Sequence, residues 1–257
     1  MGFRSFESIK QANFNSANSS DFLAFFEKAW DDTILAEESS VPSKTFAPSS
    51  VRCQRVSWFR LRGTLPEQEA VVDRSLDFTA QIGTACHRTI QRILSQKLGS
   101  DWLDVEEYLK SAPRPYEYKC TKNEFETMIE ISSPPIKFAP DGIIMYKGLP
   151  WLLEIKTSEY NSFGKLTGPK PHHIDQIKCY CTLLNIPRAL VLYQDRIYGG
   201  LKCYEIIVTE EDMRQIHNMF SDVMRYVVTN IAPPKLPAGD PHCSPSMCRY
   251  YNHCKEW

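Results

Sequence analysis

The chain has 257 residues, of which 42% are apolar, and its formal net charge is −1. This length can bury one substantial hydrophobic core, so one main domain is expected. The near-neutral charge excludes a globally basic nucleic-acid coat, so an anionic partner must be bound by local basic patches. No apolar run is long enough to cross a membrane and no signal peptide is evident, which predicts a cytoplasmic protein, or one of the host cytoplasm if it is viral, with no membrane partner.

The first fifty residues differ in composition from the rest of the chain. They are rich in Asn, Ser and acidic residues, and a helix is predicted over 21–38. The Ser, Pro and Thr residues of 39–50 are typical of a linker. Residues 1–48 are therefore predicted to form an N-terminal arm outside a main domain at 49–257. This arm either docks a partner such as an annealing or recombination protein or packs on its own domain.

A basic and aromatic segment opens the main domain. Residues 52–62 contain four arginines together with Trp58 and Phe59, and no acidic residue. Guanidinium groups bind phosphates and aromatic rings stack on bases, so the segment suits single-stranded nucleic acid. A helix with a solvated basic face and a buried Trp58 is the alternative.

A long helix is predicted over 79–98, ending at Gly99. Gly83 and His87 lie on one face of it, where the glycine would leave room beside the imidazole. A single histidine on a helix is more often structural than a metal ligand. His87 nevertheless precedes an acid pair in the order that a His–Asp–Glu metal site requires.

The remaining elements alternate between strands and helices. Antiparallel strands followed by a helix and further strands predict a mixed α/β sheet with helices on its faces. Strands are predicted over 116–121, 125–132, 136–145, 150–157, 188–194 and 201–208, and helices over 172–185 and from Thr209 to about Asn230.

Asp141 and the triplet Glu154-Ile155-Lys156 lie on two apolar strands joined by a Lys-Gly-Leu-Pro turn. Side chains alternate along a strand, so Glu154 and Lys156 share one face while Ile155 points into the core. Two carboxylates and a lysine suit a divalent metal and the water that it activates, which indicates a phosphodiesterase site. A Glu-x-Lys triplet also arises by chance, and the chain contains a second one at 117–119 without a preceding Asp-bearing strand.

Gln176 and Tyr180 lie on adjacent turns of the helix over 172–185, one turn after His173. Their amide and hydroxyl groups suit backbone phosphates or the surroundings of Lys156. An ordinary polar helix face is the alternative. The basic segment before this helix contains glycines and prolines, so a loop that closes over a substrate is expected there.

Nine cysteines in such a chain favour free thiols plus a metal site over disulfides. Cys243, Cys248 and Cys254 lie close together in an aromatic tail and need a fourth ligand for a tetrahedral or cubane site. Cys53, at a predicted helix start, is the expected fourth ligand. Zinc and an iron–sulfur cluster both fit, and unrelated buried thiols are the alternative. Four other cysteines fall in apolar periodic elements and are expected in the core: Cys86, Cys179, Cys181 and Cys203.

Together these motifs resemble RecB-like nucleases of the PD-(D/E)xK superfamily, in particular their iron–sulfur branch. That branch includes CRISPR-associated exonucleases, helicase–nuclease subunits and phage-type recombination exonucleases. The resemblance covers residues 49–257 and implies a restriction-endonuclease-like α/β core, with a mixed β-sheet flanked by helices and a tail clasped by an iron–sulfur cluster. It rests on motifs that follow one another in the family's order: Gly83-x3-His87, Asp141, Glu154-x-Lys156, Gln176-x3-Tyr180, and one early plus three late cysteines.

The resemblance also implies roles for single residues. His87, Asp141, Glu154 and the carbonyl of Ile155 would bind Mg²⁺ or Mn²⁺, and the histidine would favour Mn²⁺. Lys156 would orient the attacking water, and Gln176 and Tyr180 would support the site and contact DNA. The implied ligands of a [4Fe–4S] cluster are Cys53, Cys243, Cys248 and Cys254. The family's first tail spacing is usually Cys-x2-Cys and here it is Cys-x4-Cys, which leaves zinc open.

The function implied is that of an Mg²⁺- or Mn²⁺-dependent exodeoxyribonuclease, which hydrolyses single-stranded DNA or duplex ends in recombination, repair or DNA processing. Two alternatives stand beside it. One is a non-catalytic DNA-binding or assembly module on a nuclease scaffold, although such a scaffold has no need of a full metal site. The other is a restriction-like endonuclease of the same superfamily.

Overall fold

The computed structural model describes residues 16–38, 43–67, 73–111, 115–123, 126–245 and 247–257. The chain divides into two units, residues 1–40 with 69–78, and residues 41–68 with 79–257. In the smaller unit, α1 (Ser16–Glu38) confirms the helix predicted over 21–38. Arg74 Nε donates to Asp31 Oδ1 at 2.6 Å and Trp30 Nε1 donates to Asp77 Oδ2 at 2.7 Å, so polar contacts fix this helix to the segment at 73–78.

The predicted linker is wrong where it is described, at 43–50; residues 39–42 lie outside the described residues. Phe46 is fully buried in the larger unit. Its N–H donates to the Pro135 carbonyl at 2.8 Å, and its own carbonyl accepts from Lys137 N at 3.2 Å. A buried aromatic ring and a strand-like pairing outweigh the polar composition around it, so this segment packs on the domain.

Four of the seven helices that follow α1 in the described part of the chain agree with the sequence prediction, and the three shortest were not predicted. They are α2 (Gln54–Leu61), α3 (Arg74–Leu98), α4 (Val105–Lys110), α5 (Tyr160–Gly164), α6 (Pro171–Leu184), α7 (Glu210–Thr229) and α8 (Tyr251–Glu256). Thr209 and Asp212 form the predicted capping box of α7, and Asn230 ends this helix in a left-handed conformation. No helix of the described residues is long and apolar enough to span a membrane.

The strands form two sheets. They are β1 (Trp102–Leu103), β2 (Tyr118–Lys122), β3 (Thr127–Ile131), β4 (Ile136–Phe138), β5 (Gly142–Tyr146), β6 (Leu149–Ser158), β7 (Arg188–Asp195) and β8 (Leu201–Ile207). The larger sheet has the order β1-β5-β6-β7-β8, and the smaller has the order β2-β3-β4. Strands β6 and β7 are parallel, and the other neighbouring strands are antiparallel. The larger sheet is therefore mixed, as predicted.

The strand predicted over 136–145 is in fact two strands in different sheets. Phe138 pairs with Ile129 in the smaller sheet, whereas Gly142 pairs with Leu153 in the larger one. Pro140 lies in the break and has no N–H to donate to a neighbouring strand. The break places Asp141 at the entrance of β5 rather than within a continuous strand.

Apolar side chains cover both faces of the larger sheet. Leu152 and Val191 pack in one cluster with Ile177 of α6 and Phe220 of α7. The alternate residues of β6, including Ile155, pack in a second cluster with Ile90 of α3 and its neighbours. Burying such a side chain is worth about 1.5–3 kcal/mol. The predicted mixed α/β sheet with helices on its faces is thus confirmed.

The base-stacking role predicted for Trp58 and Phe59 is wrong. Trp58 is fully buried and Phe59 is 2% exposed. Trp58 Nε1 donates to the Tyr226 carbonyl at 3.1 Å, and the Phe59 ring stacks on Tyr250 with centroids 5.2 Å apart. Helix α2 turns its aromatic face to the core, so Trp58 is buried as in the alternative, but Arg55 is buried as well and the basic face is not fully solvated.

We expect Gly142→Ala to lower the free energy of unfolding by about 1–3 kcal/mol, the usual cost of overpacking. A Cβ at Gly142 would lie 2.6 Å from Cη2 of the Trp102 ring, which has no flexible end to move away. Urea unfolding measures the change. Gly83→Ala is the matched control, because a Cβ there would meet Thr157 Oγ1 at an ordinary 3.5 Å. The sequence predicted a close approach of a neighbouring side chain at Gly83, and the structure has it at Gly142 instead. Equal stability of the two variants would contradict this.

Candidate active site

The hairpin of β5 and β6 places the two acidic residues side by side. Its register pairs Gly142 with Leu153, so Asp141 stands beside Glu154 where β5 begins. Asp141 Oδ2 accepts a 2.6 Å hydrogen bond from the Ile155 N–H. Ile155 itself is fully buried, as predicted from strand alternation.

Helix α3 supplies two polar side chains to Asp141. His87 Nδ1 lies 3.1 Å from Asp141 Oδ1, and Gln91 Nε2 donates to the Asp141 carbonyl at 2.8 Å. Gln91 is 3% exposed and was not predicted from the sequence. Its position one helical turn after His87 was the available signal, since residues four apart share a helix face.

A chain of hydrogen bonds joins Lys156 to α6 and back to the break before β5. Lys156 Nζ donates to Glu154 Oε1 at 2.7 Å and to Gln176 Oε1 at 3.0 Å. Gln176 Nε2 donates to the Tyr180 hydroxyl at 3.2 Å. The Tyr180 hydroxyl in turn donates to the Ala139 carbonyl at 3.2 Å. The structure thus gathers the predicted catalytic side chains in one place.

Glu154 is the most unusual carboxylate of this group. It is 2% exposed, and its Oε2 atom is buried with no hydrogen-bond partner within the described residues. Burial, together with the charge of Asp141, raises the pKa of Glu154 although Lys156 opposes the shift. Burial would lower the pKa of His87, but its hydrogen bond to Asp141 and the surrounding carboxylates outweigh that effect and raise it. Both shifts favour the protonated forms, and the carboxylate of Asp141 contributes to each of them.

These residues have the oxygen and nitrogen donor atoms that bind a divalent cation, but their arrangement is not a complete coordination site. Among the described residues, no group of three or more His, Cys, Asp or Glu side chains is arranged to hold a metal ion. The oxygens of Asp141 are engaged by His87 and the Ile155 N–H. Glu154 Oε2, in contrast, can only accept, and no donor of the described residues bonds to it. A buried anionic oxygen without a donor suits a cation.

The cysteines predicted as ligands come from both ends of the larger unit. Cys53 precedes α2 as its N-cap residue, and Cys254 lies in α8. Burial and then the charges of Cys243 and Cys254 raise the pKa of Cys53. Burial likewise raises the pKa of Cys248, with contributions from Cys53, Cys254 and Cys243. Within the described residues, however, these thiols are not arranged as a group of three or more that could hold a metal ion.

All nine cysteines are free, which agrees with the predicted absence of disulfides. Cys179 and Cys181 are fully buried, as predicted. Cys203 is exposed and Cys86 is only half-buried, so the core positions predicted for them are wrong. Cys203 lies on β8, an edge strand of the larger sheet whose alternate residues are exposed.

The loop before α6 is fastened to the sheet. Lys202 Nζ donates to the carbonyls of Phe163 and Leu166, at 2.8 Å in each case. The Tyr193 hydroxyl accepts from Lys170 N at 3.1 Å and lies 2.6 Å from His173 Nδ1. Burial, and then the charge of Lys156, lowers the pKa of His173 to about 3. Side chains of β7 and β8 thus hold this loop, and its predicted closure over a substrate stays a prediction.

Comparison with known proteins gives the fold but no family. No family model and no curated protein sequence matches the chain. The crystal structure of SSO0001 is 17% identical and matches with a TM-score of 0.51, covering 91% of this chain and 98% of that one, which shows a shared fold. The alkaline exonuclease LHK-Exo from Laribacter hongkongensis is 14% identical, with a TM-score of 0.44 over 76% of this chain and 93% of that one. That second likeness is too distant to carry an argument.

Proposed function

We propose that the chain is a metal-dependent nuclease that hydrolyses phosphodiester bonds of DNA, acting as an exonuclease on single strands or duplex ends. The observation that carries this proposal is the fully buried carboxylate of Glu154, whose Oε2 atom has no partner among the described residues. Buried polar groups are satisfied in the great majority of cases. A carboxylate that serves only stability would not leave an oxygen bare beside Asp141 and Lys156.

His87, Asp141, Glu154 and the Ile155 carbonyl are the proposed ligands of Mg²⁺ or Mn²⁺. Such an ion, when bound, polarises a phosphate oxygen and lowers the pKa of a bound water. The imidazole among the carboxylates favours Mn²⁺. Gln91 holds the Asp141 carbonyl at 2.8 Å, so it positions the backbone from which this ligand projects.

Lys156 is the proposed residue that orients the attacking water. A lysine ammonium has three N–H donors, and within the described residues two of them are taken by Glu154 and Gln176. The third is free to donate to water or phosphate, and the positive charge balances the charge that develops during in-line attack.

Gln176 and Tyr180 are proposed to position Lys156 and the break before β5. Tyr180 is 6% exposed, and its hydroxyl bridges Gln176 and the Ala139 carbonyl. Phe138 stacks on its ring, with centroids 5.5 Å apart. These contacts lock the turn that delivers Asp141 to the site.

A second metal centre is proposed on Cys53, Cys243, Cys248 and Cys254, a [4Fe–4S] cluster with zinc as the alternative. Four free thiols support it, as do the contact of Arg55, two residues after Cys53, with Cys254 and the chemistry of four sulfur donors. Such a centre would tie the start of the domain to its tail and stabilise the folded state.

The nuclease proposal is tested by incubating the full chain with end-labelled linear single-stranded DNA, linear duplex and circular single strands, with Mn²⁺ or Mg²⁺. Metal-dependent loss of the linear substrates with intact circles is the expected result. Cleavage of circles would establish an endonuclease instead. Binding of DNA with no cleavage at all would establish a non-catalytic module.

We expect Mn²⁺ at a hundred times its dissociation constant to raise the free energy of unfolding by about 2.7 kcal/mol, and Glu154→Gln to abolish this effect. The metal-free stability of Glu154→Gln is not expected to fall much, because the glutamine amide oxygen can still accept from Lys156 Nζ. Thermal unfolding with and without Mn²⁺ measures both effects. Glu205→Gln, which alters an exposed carboxylate on β8 of the same sheet, is the control. An unchanged Mn²⁺ effect in Glu154→Gln would remove Glu154 from the proposed ligands.

A further inference from the structure

Two tyrosines stand at the edge of the larger sheet where the parallel strands β6 and β7 end. Tyr160 comes two residues after Ser158, the last residue of β6, and Tyr198 comes three residues after Asp195, the last residue of β7. Because the two strands are parallel, their carboxyl ends meet at one edge. The tyrosine rings contact each other edge to face, with centroids 5.0 Å apart. Ligands commonly bind at such an edge of an open α/β sheet.

These rings lie on the surface rather than in the core. Tyr160 is 49% exposed and Tyr198 is 75% exposed. In the same hairpin of β7 and β8, Ile197 and Leu201 are 61% and 60% exposed. A single exposed apolar side chain is normal, but a group of large ones at one place marks an interaction surface. The tyrosines therefore have room on their outer sides for a ligand.

Hydrogen bonds hold the turn that carries Tyr198 in one conformation. The buried carboxylate of Asp195 accepts from Ile197 N at 3.0 Å and from Tyr198 N at 3.3 Å. Arg196 N donates to the Ser158 carbonyl at 3.0 Å, which fastens the turn to the end of β6. A ring on a backbone that is already ordered loses less entropy when a ligand stacks on it.

We propose that Tyr160 and Tyr198 form a stacking platform for a nucleobase of single-stranded DNA, close to the phosphate that Lys156 would meet. The inference deepens the nuclease function proposed above and rests on it, and it makes single strands the preferred substrate. Four residues separate Lys156 from Tyr160, so at about 3.3 Å per extended residue their Cα atoms are at most about 13 Å apart. DNA advances about 3.4 Å per nucleotide along one strand, so the platform lies within about four nucleotides of that phosphate.

The chemistry of this surface favours a nucleobase over an apolar segment of another protein. Aromatic rings stack on any base, and nearby cations hold the phosphates that follow it. Arg196 and Lys202 flank the turn that carries Tyr198. Within the described residues Lys202 Nζ bonds to main-chain carbonyls and to no carboxylate, so its charge remains available to a phosphate. Glu159, the acid beside Tyr160, accepts hydrogen bonds at the start of α5.

The test measures binding of the full chain to a fluorescently labelled single-stranded oligonucleotide, by anisotropy in Ca²⁺ so that no strand is digested. Tyr160→Ala and Tyr198→Ala each remove one ring, and Tyr198→Phe keeps the ring. Ile197→Ala is the matched control, because Ile197 is exposed in the same turn and has no ring. A blunt duplex of the same sequence is the second probe. A set of single strands, each with one abasic position, locates the stacked base.

We expect Tyr198→Ala to bind the single strand about tenfold more weakly than the wild type, and Tyr198→Phe and Ile197→Ala to bind it like the wild type. Affinity for the duplex should change less, because its bases are stacked on one another. At one position, an abasic site should weaken binding by the wild type and by Tyr198→Phe. The same site should not weaken binding by Tyr198→Ala, which has lost the ring that this base meets.

Three results overturn the inference. One is an unchanged single-strand affinity in both alanine variants of the tyrosines. Another is an equal loss in Tyr198→Ala and Ile197→Ala, which would indicate a general apolar docking surface. The third is a wild type that binds no single-stranded DNA. Digestion with Mn²⁺ decides the nuclease proposal separately: a chain that digests DNA with no effect of the tyrosine variants loses the platform alone, and one that stacks single strands without digesting them loses the nuclease alone.

Discussion

Lys156→Ala is expected to reduce metal-dependent digestion of single-stranded DNA at least about 100-fold, because one preorganised charge aimed at the reacting group is typically worth that much. The lysine is held by Glu154 and Gln176 at 2.7 and 3.0 Å, so its ammonium group has one defined position. Alanine removes the ammonium but leaves the acidic residues and the helix surface in place. Digestion of end-labelled DNA at saturating Mn²⁺ measures the loss.

DNA binding should survive the same substitution, because a single charge contributes only part of a phosphate-binding surface. Fluorescence anisotropy in Ca²⁺, which prevents turnover in this test, measures binding separately from cleavage. Lys119→Ala is the matched control, since Lys119 belongs to the chain's other Glu-x-Lys triplet and is exposed on β2. If Lys156→Ala digests DNA at nearly the wild-type rate, the role assigned to Lys156 is wrong.

The sequence could predict the architecture because local signals agree with the global fold here. The hairpin of β5 and β6 follows from two apolar runs joined by a glycine turn, and the capping box of α7 follows from Thr209 and Asp212. The break at Pro140 could also have been anticipated, because proline disrupts a strand ladder. The sequence pattern does not show that the two halves of this run belong to different sheets.

Burial was less predictable than secondary structure. Trp58 and Phe59 stand among arginines, and the pattern of residue types fits a nucleic-acid surface as well as a packed helix. The decisive facts are long-range, namely that Tyr226 accepts from Trp58 and that Tyr250 stacks on Phe59. Phe46 was mistaken for linker for the same reason, since its partner is Ile136.

In the candidate site, too, some features are predictable from the sequence and others are not. Strand alternation predicts that Glu154 and Lys156 share a face, and helix spacing predicts that Gln176 and Tyr180 are neighbours. The bare Oε2 atom of Glu154 is not readable from the sequence, because it depends on everything that packs around that carboxylate. The guanidinium of Arg55 is a similar case, since its partners Pro233 and Cys254 lie far along the chain.

Cys254→Ala is expected to release the proposed tail metal and to lower the melting temperature by roughly 10 °C. A ligand that binds only the folded state at a thousand times its dissociation constant contributes about 4 kcal/mol, and at this chain length each kcal/mol shifts the melting temperature by about 2–4 °C. Cys254 lies in α8 and its sulfur accepts from Arg55; alanine removes this contact and the proposed metal bond, while the main-chain contacts of Arg55 remain. Metal analysis and thermal unfolding measure the two effects.

The identity of the metal is visible in the same preparation. A [4Fe–4S] centre on Cys53 and the tail cysteines makes the wild-type protein brown, with broad absorption at about 400 nm, whereas zinc leaves it colourless. Cys203→Ala is the control, because Cys203 is exposed on β8 and belongs to no proposed site. The nuclease residues are untouched by Cys254→Ala, so stability should fall before the chemistry of the folded fraction changes. If the wild type holds no metal and Cys254→Ala leaves its melting temperature unchanged, the tail cysteines are ordinary thiols and not metal ligands.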